Sequence, residues 1–176
     1  MQKIFLKDMR VLMKKHMKCR HCRAKSTPCD YYGNEMKEPY LYRCTKKDCG
    51  TFFWHRNVLQ EFNLKDDPKS DQNKKIEENL VKKFKIPKSS YPRAAYVIKL
   101  SRKSGETKDS VYIGETGHHP LRRYLQHIRG YNSGKGHAKK RAKYLLSYET
   151  EIKDSKKREK ELAKEMSKTY LITGGH

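Results

Sequence analysis

The sequence predicts an α/β protein in which a small antiparallel sheet flanked by helices follows a small cysteine-bearing module. Three observations predict it. Two close cysteine pairs, Cys19/Cys22 and Cys44/Cys49, fall in a stretch rich in aromatics and turn residues. Two apolar runs, 94–100 and 110–114, are separated by a polar, glycine-containing loop, which is a hairpin signal. Segments with helical periodicity lie before and after that hairpin.

From the N-terminus, Phe5, Met9, Leu12, Met13 and His16 stand at helical spacing and predict a short amphipathic helix over 1–17. Residues 18–56 combine the cysteines with Tyr31, Tyr32, Tyr40, Tyr42, Phe52, Phe53 and Trp54, a mixture suited to short strands around a metal. Lys65 to Asp71, with Pro68, reads as linker. Ile76, Leu80 and Phe84, four apart, predict a second helix that Pro87 stops. The hairpin strands are Ala94–Leu100 and Ser110–Gly114, with Ser101–Asp109 between them. Pro120, in a first turn, opens a helix through Arg129. After a loop over 130–136, residues 137–146 are predicted helical, Ser147–Ile152 a short third strand, and Asp154 to about Lys168 a charge-laced helix. The predicted boundaries are 1–63 for the N-terminal helix and cysteine module, 64–92 for a linker with a helix, and 93–176 for the second domain.

Of the 176 residues, 35% are hydrophobic and 35% charged, too little apolar material for one large core; two small modules, one stapled by a metal, fit that shortage. The net charge of +22 divides evenly, +11 over 1–92 and +11 over 93–176, so it is no single basic tail. A polyanion is the expected partner, above all the phosphate backbone of nucleic acid, double-stranded DNA included. No run approaches the ~18 apolar residues that span a bilayer, and no basic segment carries a long apolar face. Charge interrupts the first eight residues too early for a secretory leader. The expectation is an intracellular protein, cytoplasmic or nucleoid-associated, without a membrane partner. In that setting five cysteines read as metal ligands plus one spare rather than a disulfide framework.

Cys19-x-x-Cys22 and Cys44-x₄-Cys49 are spaced to place four thiolates around one tetrahedral Zn²⁺. The alternatives are a redox pair at Cys19/Cys22 or a set of reduced thiols. Cys29 is the spare, and His16, His21 or His55 could replace a ligand. A four-cysteine shell leaves no open position for chemistry, so the zinc is structural. The segment from Cys19 to Phe53 resembles zinc ribbons, with spacing similar to the zinc fingers of small phage late-transcription activators, which implies nucleic-acid or protein contact.

In the second domain, Tyr96 and Tyr112 lie on the two hairpin strands, Arg123 and His127 stand at i and i+4 on one helix face, and Glu165 sits late in the last helix. Tyrosines, an arginine, a histidine and one carboxylate meet the needs of one-metal phosphodiester hydrolysis. The carboxylate holds the metal, the arginine offsets transition-state charge, and a tyrosine or histidine handles the attacking water. Glu159 and Glu161 compete with Glu165 on the same helix.

These residues resemble the GIY-YIG nuclease superfamily. Ala94-Ala95-Tyr96 is similar to its first motif, Tyr112-Ile113-Gly114-Glu115-Thr116 to its second, Arg123 to His127 to its arginine-and-histidine helix, and Arg158 to Glu165 to its metal-carboxylate helix. The tail Tyr170 to His176 resembles the closing segment, with Leu171 or Thr173 near the position where the family has Asn. Fifteen residues separate Tyr96 from Tyr112, more than the family's usual, so the hairpin loop is expected to be enlarged. The resemblance implies that Tyr96 with His127 acts on the water, Tyr112 supports it, Arg123 grips the phosphate and Glu165 binds Mg²⁺ or Mn²⁺. The implied activity is a DNA endonuclease of restriction, mobile-element or phage type, with the basic loop Gly130 to Lys143 on the DNA backbone. One active site per chain makes double-strand cutting the work of a homodimer or of two successive nicks. The alternative is a non-catalytic DNA-binding regulator that works through its zinc module.

Overall fold

Turn chemistry and alternation set the chain into two four-stranded sheets. The computed structural model describes residues 17–37, 40–55, 58, 70–130 and 141–173, apart from the side chains at 90 and 91. The N-terminal helix expected over 1–17 (save Met17), most of the linker, most of the loop expected over 130–136 and the first residues of the helix expected over 137–146 lie outside the described residues. The first sheet runs β1 (Met17–Lys18), β2 (Lys25–Pro28), β3 (Leu41–Cys44) and β4 (Phe52–Trp54), antiparallel and in sequence order. Next come α1 (Asp71–Lys83), β5 (Ser89–Leu100), β6 (Ser110–His118), α2 (Pro120–Arg129), β7 (Ala142–Glu149), α3 (Ser155–Ser167) and β8 (Leu171–Ile172). The second sheet has the order β7-β5-β6-β8; its first three strands are antiparallel, and β8 joins β6 in parallel.

The predicted helices at 76–84, 120–129 and 154–168 form, each with a local reason for its ends. Ser70 caps α1, its side chain accepting from Asn73 N. Pro120 starts α2, and Gly130 ends it in the left-handed region at φ 96°. Asp154 caps α3, accepting from Lys157 N.

One expectation is corrected. Residues 142–146, expected at the end of a helix, begin strand β7. Along β5 the register shifts twice, because Ile98 pairs with Leu145 and Val97 with Ser147, while Lys99 pairs with Tyr144 and Leu100 with Ala142. Leu146 and Lys143 are thus extra residues, and such bulges disguise the two-residue period. Strand β5 also begins five residues before Ala94, with Pro92 inside the irregular register between Ser89 and Ala94, where a missing N–H costs no ladder bond.

Alternation gives the second sheet two apolar faces. Tyr96, Ile98, Leu100 and Tyr112 pack with Leu121, Tyr124, Leu125 and Ile128 of α2. Ala95, Val97, Val111 and Ile113 meet Leu162 of α3. The first cluster continues through Leu80, Val81 and Phe84 of α1 into Leu41, Phe52 and Trp54 of the first sheet. Scarce apolar residues are therefore shared between the two sheets in that first cluster, each large buried side chain contributing about 1.5–3 kcal/mol. Polar bonds tie the same seam: Trp54 Nε1 donates to Leu121 O at 3.1 Å, and Arg20 Nη1 to Lys143 O at 2.8 Å. Among the described residues, no helix is long and apolar enough to cross a membrane.

Candidate active site and metal centre

The cysteines sit in facing turns. Cys19 and Cys22 lie between β1 and β2, Cys44 ends β3, and Cys49 precedes β4. Pairing of Ser26 with Cys44 sets the turns side by side, bringing all four sulfurs within 4.8 Å of one another. Cys19 and Cys49 Sγ are 3.7 Å apart, and Cys22 and Cys44 Sγ 3.5 Å. A tetrahedral ion with ~2.3 Å bonds to sulfur sets its ligands about 3.8 Å apart, so the group fits a soft divalent ion such as zinc. His21 N and Lys46 N donate to Cys19 and Cys44 Sγ at 3.3 and 3.4 Å, which favours thiolates. Burial pushes the Cys44 thiol up to about 12; a divalent cation would offset that cost. Cys29 stands apart in the core, raised by burial to about 11. His21 instead bonds Tyr144 Oη at 3.2 Å, and neither it nor His55 joins the sulfur group.

The second constellation is built by strand register. Tyr96 pairs with Gly114 and Tyr112 with Ile98, so both tyrosine rings leave the sheet on the α2 face. Helical spacing on α2 aims His127 at them: its Nε2 lies 2.7 Å from Tyr96 Oη, and its ring 4.8 Å from that of Tyr112, edge to face. Gly114 makes room for this packing, since a Cβ there would stand 2.6 Å from Tyr96 Oη and 2.8 Å from its Cζ. The Arg123 guanidinium acts on the Tyr96 hydroxyl, favouring its ionised form, and its Nη1 donates to Gln126 Oε1 at 3.0 Å.

Burial governs the electrostatics. It raises Tyr96 well above the usual phenol range, with the Arg123 charge opposing. It holds His127 down at about 3, helped by Arg123, so the imidazole is neutral at physiological pH. His127 Nδ1 is buried with no hydrogen-bond partner among the described residues. The hydroxyl is thus a protonated group held between an arginine and a neutral imidazole, able to relay a proton rather than supply a standing phenolate.

The structure brings Tyr96, Tyr112, Arg123 and His127 together, while Glu165 lies on α3 in an ion pair with Arg158. The Glu165 side chain is 57% exposed and binds Arg158 Nη1 at 2.9 Å. Seven residues apart, Arg158 and Glu165 share one face of α3, turned outward. Glu159 is the acid that faces inward: it is buried at 9% exposure, and its charge acts on both the Tyr96 and Tyr112 hydroxyls. Glu161 is exposed. A signal for this was available in the sequence, because Glu159 stands three and four residues before Leu162 and Ala163, which pack on the sheet.

Comparison with known protein families, with curated proteins and with solved structures returns no match for this chain.

Proposed function

We propose that the chain is a metal-dependent DNA endonuclease of the GIY-YIG type, steadied by a structural zinc site. The observation that carries this reading is the convergence of Tyr96, Tyr112, Arg123 and His127 at hydrogen-bonding or ring-contact distance in a protein of net charge +22. Glu159 is the carboxylate best placed to hold Mg²⁺ or Mn²⁺, since such ions bind through one or two carboxylates and the substrate's own phosphate. The ion, when bound, supplies polarisation of the phosphate and stabilisation of the leaving oxygen.

The residues of the chain supply the remaining chemistry. Tyr96 Oη accepts a proton from the attacking water while its own proton passes to His127 Nε2. Low basicity makes the imidazolium transient, to be offset by the anionic phosphate. Arg123 stabilises the charge that builds on the phosphoryl oxygens, and Tyr112 packs the hydroxyl-bearing ring of Tyr96 from one side.

The test is incubation with supercoiled plasmid, with and without Mg²⁺. Wild-type protein is expected to convert it to the nicked form only with metal. A protein that binds the plasmid tightly but never cuts it would instead be a non-catalytic regulator working through its zinc module.

A further inference from the structure

One face of α2 is held by a single buried acid from outside the nuclease-like segment. Glu77 of α1 is 2% exposed and lies among three side chains of α2 at i, i+4 and i+7. Arg122 Nε is 2.8 Å from its Oε1, Gln126 Nε2 donates to the same oxygen at 2.8 Å, and Arg129 Nη2 is 2.5 Å from Oε2. The Arg129 side chain is 1% exposed, so this is not a solvated surface pair.

The middle contact has a consequence for chemistry. An amide has a donor end and an acceptor end. Because Glu77 accepts from the Gln126 NH₂, the Gln126 carbonyl is left facing Arg123, whose Nη1 donates to it at 3.0 Å. Turning the amide over would set its carbonyl against the carboxylate and its NH₂ against the guanidinium, two repulsive contacts in place of two bonds. The Arg123 guanidinium in turn acts on the Tyr96 hydroxyl, which meets His127 Nε2 at 2.7 Å. Hydrogen bonds thus join Glu77, Gln126 and Arg123, and the Arg123 charge reaches the Tyr96–His127 pair.

We infer that Glu77 and Gln126 are positioning residues for the active site: Glu77 fixes the polarity of the Gln126 amide, and Gln126 fixes the guanidinium of Arg123 against the Tyr96 hydroxyl. The inference rests on the endonuclease reading. It assigns the helix ahead of the hairpin a part in the chemistry rather than in linkage alone.

The experiment measures single-turnover nicking of plasmid with Mg²⁺, plasmid affinity by gel shift without metal, and the thermal midpoint, all on the full chain. Gln126→Met keeps the volume and leaves the Glu77 ion pairs with Arg122 and Arg129 in place, so it folds even where Glu77→Gln does not. Its nicking rate should fall about 100-fold, as for a misplaced catalytic group, with affinity and midpoint close to wild type. Gln126→Met that nicks at the wild-type rate overturns the positioning role alone, as does a rate that falls only in step with midpoint or affinity. Wild-type protein that never nicks overturns the endonuclease reading and this role with it.

Discussion

Gly114→Ala adds one methyl group to the point where Tyr96 crosses its partner strand. The new Cβ would lie 2.6 Å from Tyr96 Oη, 2.8 Å from Cζ and 3.2 Å from Tyr112 Cε1. Ordinary contact begins at 3.4 Å, so the Tyr96 hydroxyl must retreat by about 0.8 Å in a close-packed interior. It has nowhere to go at no cost, being 1% exposed and bonded to His127 at 2.7 Å. Overpacking of this kind costs about 1–3 kcal/mol, and loss of the Tyr–His contact adds about 1 kcal/mol. Urea unfolding should therefore show a destabilisation of roughly 2–4 kcal/mol, and plasmid nicking should fall by about 100-fold or more in the fraction that stays folded. Gly117→Ala, in the same strand with nothing within 4 Å of its added Cβ, is the control and should be nearly silent. A Gly114→Ala protein as stable and as active as the Gly117→Ala control would refute the packing of Tyr96 over Gly114.

Three further outcomes are expected. Glu159→Gln should abolish nicking while Glu165→Gln stays within about twofold of wild type, as for a surface change; the reverse order in a plasmid assay would return the metal carboxylate to Glu165. Purified protein should carry about one zinc per chain by elemental analysis, and Cys44→Ser should lower both the zinc content and the thermal midpoint, since metal binding to such a site is folding free energy. Stability should fall as pH drops below about 6.5, because unfolded His127 and His119 take up protons there while the folded forms resist until about 3 and about 4. The His127 share is roughly 5 kcal/mol, present in full above pH 6.5 and lost as pH approaches 3; a flat urea midpoint between pH 7 and 4 would contradict the buried neutral imidazoles.

What was legible in the sequence was what local spacing decides. The cysteine pairs lie within single turns, so their grouping follows from the hairpins around them. Pro120 and Gly130 bracket α2, and the four-residue step from Arg123 to His127 then puts both on one side of it. The obscured parts depend on long-range partners. Strand β7 read as helix because its two bulges answer to the register of β5, which no local window contains. Which glutamate of α3 the sheet covers is likewise not local: Arg158 holds Glu165 outside, and the packing of Leu162 turns Glu159 in. The role of Glu77 was invisible for the same reason, since its partners are 45 and 49 residues away.

The most direct test of the account compares wild-type protein with Arg123→Ala on supercoiled plasmid, at matched folding and with DNA affinity measured alongside. Mg²⁺-dependent nicking by the wild type is expected, at a rate that falls about 100-fold or more when the guanidinium is removed, with binding retained. Tight binding without any nicking by the wild type under any divalent metal, or nicking that Arg123→Ala leaves unchanged, would contradict it.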